Sequence, residues 1–269
     1  MRQPLFLCVL GLLLGACGTG TARHRPPSVY AQALDSETNA CLRFPASCPG
    51  AMERAASVQA SRQKAAETGA SLAAGQRVLD EVLRAQIDGI LHQCAQEADY
   101  AVNKRLMGGN NPSRQQCAEE VMDAQGNPLK RAILLGREKH QAARDCVQHH
   151  LSQLIPGSFS LNSRYRFDLS TGKLKLISPS QEKALLRAGG EELVGTLVPD
   201  VVLHTGNPLE VLDVYDFKFP CPGSNSPTWN SYPEHHPYHE YSQWQMYQKA
   251  FGGNPARVAP RWGVLRGQK

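Results

Sequence analysis

Residues 198–220 read VPDVVLHTGNPLEVLDVYDFKFP, two apolar runs rich in β-branched and aromatic residues on either side of a Gly-Asn-Pro turn signal. The pattern predicts strands over 198–204 and 211–219 joined as a hairpin, with Pro199 at a strand start, where a missing amide proton costs no ladder bond. Side chains alternate along a strand, so Asp216 and Lys218 share a face with Leu212 and Val214, while Asp213, Tyr215, Phe217 and Phe219 take the other. Asp200 shares its face with Val202 and His204, and the hairpin brings it beside Asp216. Two carboxylates so placed suit a hard divalent cation that prefers oxygen ligands, and the neighbouring ammonium suits an attacking water. The competing reading makes Asp216 and Lys218 a solvated ion pair on a strand. Against it, charges set among Val214, Tyr215, Phe217 and Phe219 need a partner or a metal.

Working outward, residues 241–251, YSQWQMYQKAF, predict a helix with Gln243 and Tyr247 at i, i+4 on one face. A helix over 180–187, strands over 192–197, 198–204 and 211–219, this second helix and a last strand over 257–264 complete the order of elements. Pro-Asp, Asp-x-Lys and Gln-x-x-x-Tyr in that setting resemble the PD-(D/E)xK nuclease superfamily, the restriction-endonuclease-like fold. The resemblance implies an α/β (α+β) chain whose αβββαβ core surrounds a small mixed sheet. It implies a magnesium-dependent endonuclease, with manganese as substitute, that cuts DNA in preference to RNA. Asp200 and Asp216 would hold the metal, Lys218 the water, and Gln243 and Tyr247 would meet Lys218 or the phosphate. An acid on the first core helix would complete the metal shell; Glu182 stands there, with Glu191 and Glu192 as alternatives.

Composition changes near residues 155–157, which divides the chain into a helical region over 51–155 and a nuclease-like domain over 156–269. In the first, residues 55–73 are alanine-rich, and 75–106 carry Val78, Val82, Leu83, Ile87, Ile90 and Leu91 at helical spacing. GGNNPS at 108–113 breaks the pattern, and helices follow over 114–123 and 131–154. The formal charge is +5, a mild excess that would aid a polyanionic substrate, yet the last 113 residues hold no lysine-rich run.

The N terminus, MRQPLFLCVLGLLLGAC, has one cation, an apolar stretch over 5–14 too short to span a bilayer, and small residues before Cys17. LGAC at 14–17 resembles the bacterial lipobox, which implies cleavage after residue 16, lipidation of Cys17 with palmitate-type chains, and a membrane anchor, with Gly18 pointing to the outer membrane. Residues 17–50 read as tether and loop. Six further cysteines, Cys41, Cys48, Cys94, Cys117, Cys146 and Cys221, suit an oxidising compartment and up to three disulfides. An exported anchor joined to a nuclease-like C terminus resembles polymorphic bacterial toxins, above all lipoprotein toxins exchanged between outer membranes. That resemblance implies action in a target-cell cytoplasm and a cognate immunity protein as partner.

Two other classes stay in view. One is a non-enzymatic envelope lipoprotein that binds a protein or glycan. The other is a zinc hydrolase built on His235, His236 and His239 with Glu234, Glu240 and Cys221, although Pro237 prevents a helix from aligning the imidazoles. Trp229, Tyr232, Tyr238 and Tyr241 either stack on bases or pack in a core.

Overall fold

The computed structural model describes residues 79–268. The expectations placed on residues 1–78, including the signal, Cys17, the tether, the alanine-rich helix and Cys41 with Cys48, lie outside the described residues. The first described helix, α1 (Glu81–Met107), opens on Asp80, whose carboxylate accepts the Val82 amide proton, and closes on Gly108 in the left-handed region. Next, α2 (Arg114–Ala118) starts with a Ser113/Gln116 capping box and stops five residues short of the 123 expected. There the chain turns into a small hairpin, β1 (Glu120–Met122) and β2 (Pro128–Lys130). Asp123 decides this, because its carboxylate accepts the backbone protons of Gln125 and Asn127 and so holds a turn where a helix would need those groups elsewhere. A 24-residue helix, α3 (Arg131–Leu154), follows.

The remaining elements are β3 (Phe159–Leu161), β4 (Arg164–Asp168), β5 (Lys173–Ile177), α4 (Pro179–Arg187), β6 (Thr196–Leu197), β7 (Val201–His204), β8 (Val211–Phe217), α5 (Gln243–Phe251), β9 (Ala256–Ala259) and β10 (Gly263–Arg266). They form a mixed α+β fold. The main sheet runs β10-β9-β8-β7-β3, antiparallel except where β8 meets β9, and that parallel pair is joined by the crossover through α5. A second sheet runs β5-β4-β6.

Both faces of the main sheet are covered. On one, Ile87 and Leu91 of α1 and Val147 and Leu151 of α3 pack on Val201, Leu203, Tyr215, Phe217 and Val258. On the other, Met246 and Tyr247 of α5 pack on Val202 and Val214, with Tyr165 of the second sheet. Thus β8 alternates as its sequence predicts, Tyr215 and Phe217 facing the helix pair and Val214 facing α5. Each fully buried Leu or Ile here contributes about 1.5–3 kcal/mol. The first cluster joins residues from both sides of position 155, so the described part of the helical region shares one core with the sheet. Two disulfides add staples, Cys94–Cys146 between α1 and α3 and Cys117–Cys221 between α2 and the segment after β8.

Two sequence expectations need correction. Residues 192–197 do not form a strand of the main sheet: Glu191–Leu193 make a 3₁₀ turn, and the two residues of β6 pair with β4 in the second sheet. Gly195, inside the expected strand, takes positive φ, which breaks the strand geometry the apolar residues suggest. The strand beside β7 is instead β3, preceded directly by α3. Around the main sheet the order is therefore α3, β3, β7, β8, α5, β9, with the second sheet and α4 inserted after β3. The expected single strand over 257–264 is a hairpin, turned at residues 260–262 between β9 and β10.

Candidate functional site

The β7–β8 hairpin sets the first pair of groups. Its turn is held by Asn207, whose side chain accepts the Leu209 amide proton, and by Gly206 at φ 112°, open to glycine and strained for other residues. Val201 then faces Tyr215, and the next step along the ladder sets Asp200 opposite Asp216. Lys218 follows just past the strand end, its amide proton donated to the Val258 carbonyl. From the other side comes α5, capped by Ser242 and Gln245, which directs Gln243 and Tyr247 toward Asp216.

These four side chains close into one network. Lys218 Nζ lies 2.6 Å from Asp216 Oδ2 and donates to Gln243 Oε1 at 2.7 Å. Asp216 Oδ1 accepts from Tyr247 Oη at 3.1 Å and from Gln243 Nε2 at 3.3 Å. The Gln243 amide also donates to Tyr247 Oη at 3.1 Å, so the two helix residues fix one another. Gln243 and Tyr247 are fully buried, and Trp229 lies beneath the ammonium with its ring centroid 5.3 Å away.

Asp200 sits behind this group with different partners. Its Oδ2 accepts the Phe217 amide proton at 2.7 Å, and its Oδ1 lies 3.1 Å from His140 Nδ1. With its nitrogen turned toward the carboxylate, the Asn162 amide also donates to Oδ1 at 3.2 Å while its oxygen accepts from Arg144. A cavity of about 240 Å³ opens over the site, lined by Gly136 and His140 of α3, by Asp216 and Lys218, and by Thr228 and Asn230 of the loop before α5. Burial drives the Asp216 carboxyl above the usual range; Lys218 opposes this, and the neighbouring Asp200 charge adds to it. Burial acts on Asp200 too, but His140, the Phe217 amide and Lys218 outweigh it and hold that carboxyl below its usual value.

His140 is the site residue that the sequence pattern does not give, because that pattern puts the first core helix at 180–187 and not at 131–154. The available signal was Gly136 and His140 at i, i+4 on the helix just before the first main-sheet strand. Glu182 occupies no such place: Arg164 Nε donates to its carboxylate at 2.7 Å, locking α4 to the second sheet, and it does not line the cavity. Glu191 and Glu192 are exposed and also absent from the lining.

The zinc arrangement does not assemble. Cys221 is in a disulfide, and among the described residues His235, His236 and His239 do not gather their ligand atoms into one group. His236 stacks on Tyr232 at 4.5 Å between centroids, and burial pulls its imidazole down to about 4. Trp229, Tyr232 and Tyr238 are core residues, and the Trp229 indole donates to the Gly267 carbonyl. Among the described residues, no helix is long and apolar enough to cross a membrane. Comparison with known proteins finds no matching family model, no similar curated protein and no similar solved structure.

Proposed function

We propose that this site hydrolyses phosphodiester bonds in nucleic acid, DNA before RNA, as a metal-dependent endonuclease of the PD-(D/E)xK type. The observation that carries the reading is the meeting of Asp216 and Lys218, side by side on one strand end at the wall of a cavity, with Asp200 opposite in the hairpin. The order α3, β3, β7, β8, α5, β9 supports it, since it follows a helix, three antiparallel strands, a helix and a parallel strand.

The donor set fits magnesium, with manganese as substitute. Two buried carboxylates lie close enough that one raises the other's pKa, and a divalent cation between such groups relieves that repulsion. Asp200 and Asp216 would hold the ion; Glu182 is committed to Arg164. When bound, the cation lowers the pKa of a coordinated water and offsets charge on the phosphate. Lys218 holds an attacking water beside Asp216, with its ammonium oriented by Gln243. Tyr247 and Gln243 fix the Asp216 rotamer, and His140 does the same for Asp200 from α3.

The wider role follows from the N-terminal sequence. A lipidated Cys17 would anchor the chain in the cell envelope, at the outer membrane, and a nuclease carried there acts as a toxin in the cytoplasm of a target cell, with an immunity protein as its partner. One observation favours the rival, a binding lipoprotein without activity: both Asp216 oxygens and the Lys218 ammonium are already bonded within the protein. Incubating the purified protein and its Lys218→Ala variant with plasmid, with and without magnesium, separates the two. Magnesium-dependent nicking lost in the variant supports the nuclease; equal cutting by both, or none by either, rejects it.

A further inference from the structure

A second constellation lies between α1 and α3, away from the residues of the cavity. Cys94 and Glu97 stand at i, i+3 on α1, and Cys146 and His150 at i, i+4 on α3, so each pair projects from one helix face. Cys94 and Cys146 are joined as a disulfide. The ligand atoms of Cys94, Cys146 and His150 all lie within 4.8 Å of one another, the one such group among the described residues. The Glu97 carboxylate reaches to 3.6 Å from Cys146 Sγ.

We propose that reduction of this disulfide creates a zinc site with Cys94, Cys146 and His150 as ligands and Glu97 as the fourth. Two thiolates, an imidazole and a carboxylate are the donor types of a closed tetrahedral zinc centre. At bond lengths of roughly 2.0–2.3 Å, tetrahedral ligand atoms stand about 3.5 Å apart. Breaking the Cys94–Cys146 bond frees both side chains, and rotation about their χ1 angles on two packed helices brings the sulfurs to this spacing. The redox step balances: a dithiol donates two electrons and becomes a disulfide, the Cys94–Cys146 bond breaks, and two protons complete the thiols. Zinc binding then displaces those protons. The other disulfide, Cys117–Cys221, belongs to no such group and serves as the internal control.

The consequence is a staple with two forms. In an oxidising compartment a covalent bond ties α1 to α3, and in a reducing one a metal does the same, so that α3 keeps its register under the sheet. The site does not depend on the nuclease reading, because thiolates select zinc over magnesium.

The test uses the whole protein, reduced with a phosphine that becomes its oxide with an oxygen from water and does not compete for metal as a dithiol would. Cobalt(II) is titrated in as an optical probe and then displaced with zinc. One equivalent per chain should give thiolate-to-cobalt charge-transfer absorption, absent from the unreduced protein. Cys94→Ser and Cys146→Ser should abolish it, while a Cys117→Ser, Cys221→Ser variant should keep it. His150→Ala, which leaves both thiols in place and guards against misfolding, should weaken binding about tenfold or more. No band in the reduced protein, or a band unchanged by Cys94→Ser or by His150→Ala, overturns the proposal.

Discussion

Strand β8 carries two buried carboxylates three residues apart, on opposite faces, and they live in different company. Asp213 meets two guanidiniums: Arg84 Nε at 3.2 Å and Arg266 Nη1 at 3.0 Å, with the Val214 amide as a third donor. Arg266 reaches on to Asp88 at 2.9 Å, which ties β10 and β8 to α1. Asp216 has one ammonium, and the neighbour it faces across the hairpin is another acid. Burial raises both carboxyls; two guanidiniums oppose this at Asp213, whereas at Asp216 the Asp200 charge adds to it, and of the two Asp216 borders the cavity. The first arrangement spends its charges on holding elements together, whereas the second keeps an acid destabilised where a ligand can reach it.

The largest expected contrast is in activity. Asp216→Asn or Lys218→Ala should lower magnesium-dependent plasmid cleavage by about 10³-fold or more, while Arg266→Ala leaves the rate per folded molecule unchanged. Stability should move the opposite way. Arg266→Ala strips a guanidinium from the buried Asp213 carboxylate and from Asp88 and should cost about 1–3 kcal/mol in denaturant melts. Asp216→Asn should hold or raise the melting temperature, because it removes a charge that burial and Asp200 both oppose. A melt in which Asp216→Asn loses as much as Arg266→Ala would make the two carboxylates alike and return the site to the structural ion pair.

Much of this contrast could be read from residues 198–220. Alternation alone separated Tyr215 and Phe217 from Val214 and Asp216, and the turn at 206–208 fixed Asp200 against Asp216. Gln243 and Tyr247 came from the resemblance of their Gln-x-x-x-Tyr pattern to the nuclease superfamily, and i, i+4 spacing on a single helix put them on one face. What escaped was non-local. His140 lies 60 residues before Asp200, with the whole second sheet between β3 and β7, and no local pattern reports which helix precedes the main sheet. Glu182 sat correctly on a helix, but its partner Arg164 belongs to another strand, and sequence order does not reveal that pairing. The Asp213 network was invisible for the same reason, since its cations come from positions 84 and 266.

A finer test sharpens the Asp216 side. Tyr247→Phe removes one hydrogen bond that favours the ionised carboxylate, so the Asp216 pKa should climb further from its already raised value. Activity that needs the ionised form would then fail at a higher pH on the acid side, with a plateau loss of about tenfold, consistent with one hydrogen bond of roughly 1–1.5 kcal/mol. An acid limb that does not move in the pH–rate profile would show that Tyr247 acts on packing and not on the carboxylate.

The smallest effect concerns neither carboxylate but the loop that joins β8 to α5. His236 is stacked on Tyr232 and held neutral by burial, its imidazole drawn down from 6.5 to about 4. The unfolded chain takes up a proton near pH 6.5 and the folded chain only near 4, so His236 contributes no penalty above pH 6.5, destabilises progressively as the pH falls between those values, and adds nothing further below about 4. In His236→Phe, which keeps the stacking ring but has no proton to bind, the decline of stability from pH 6.5 to 4 should be shallower than in the parent. The raised carboxyls of Asp213 and Asp216 are common to both proteins, so the difference between the two slopes belongs to the imidazole.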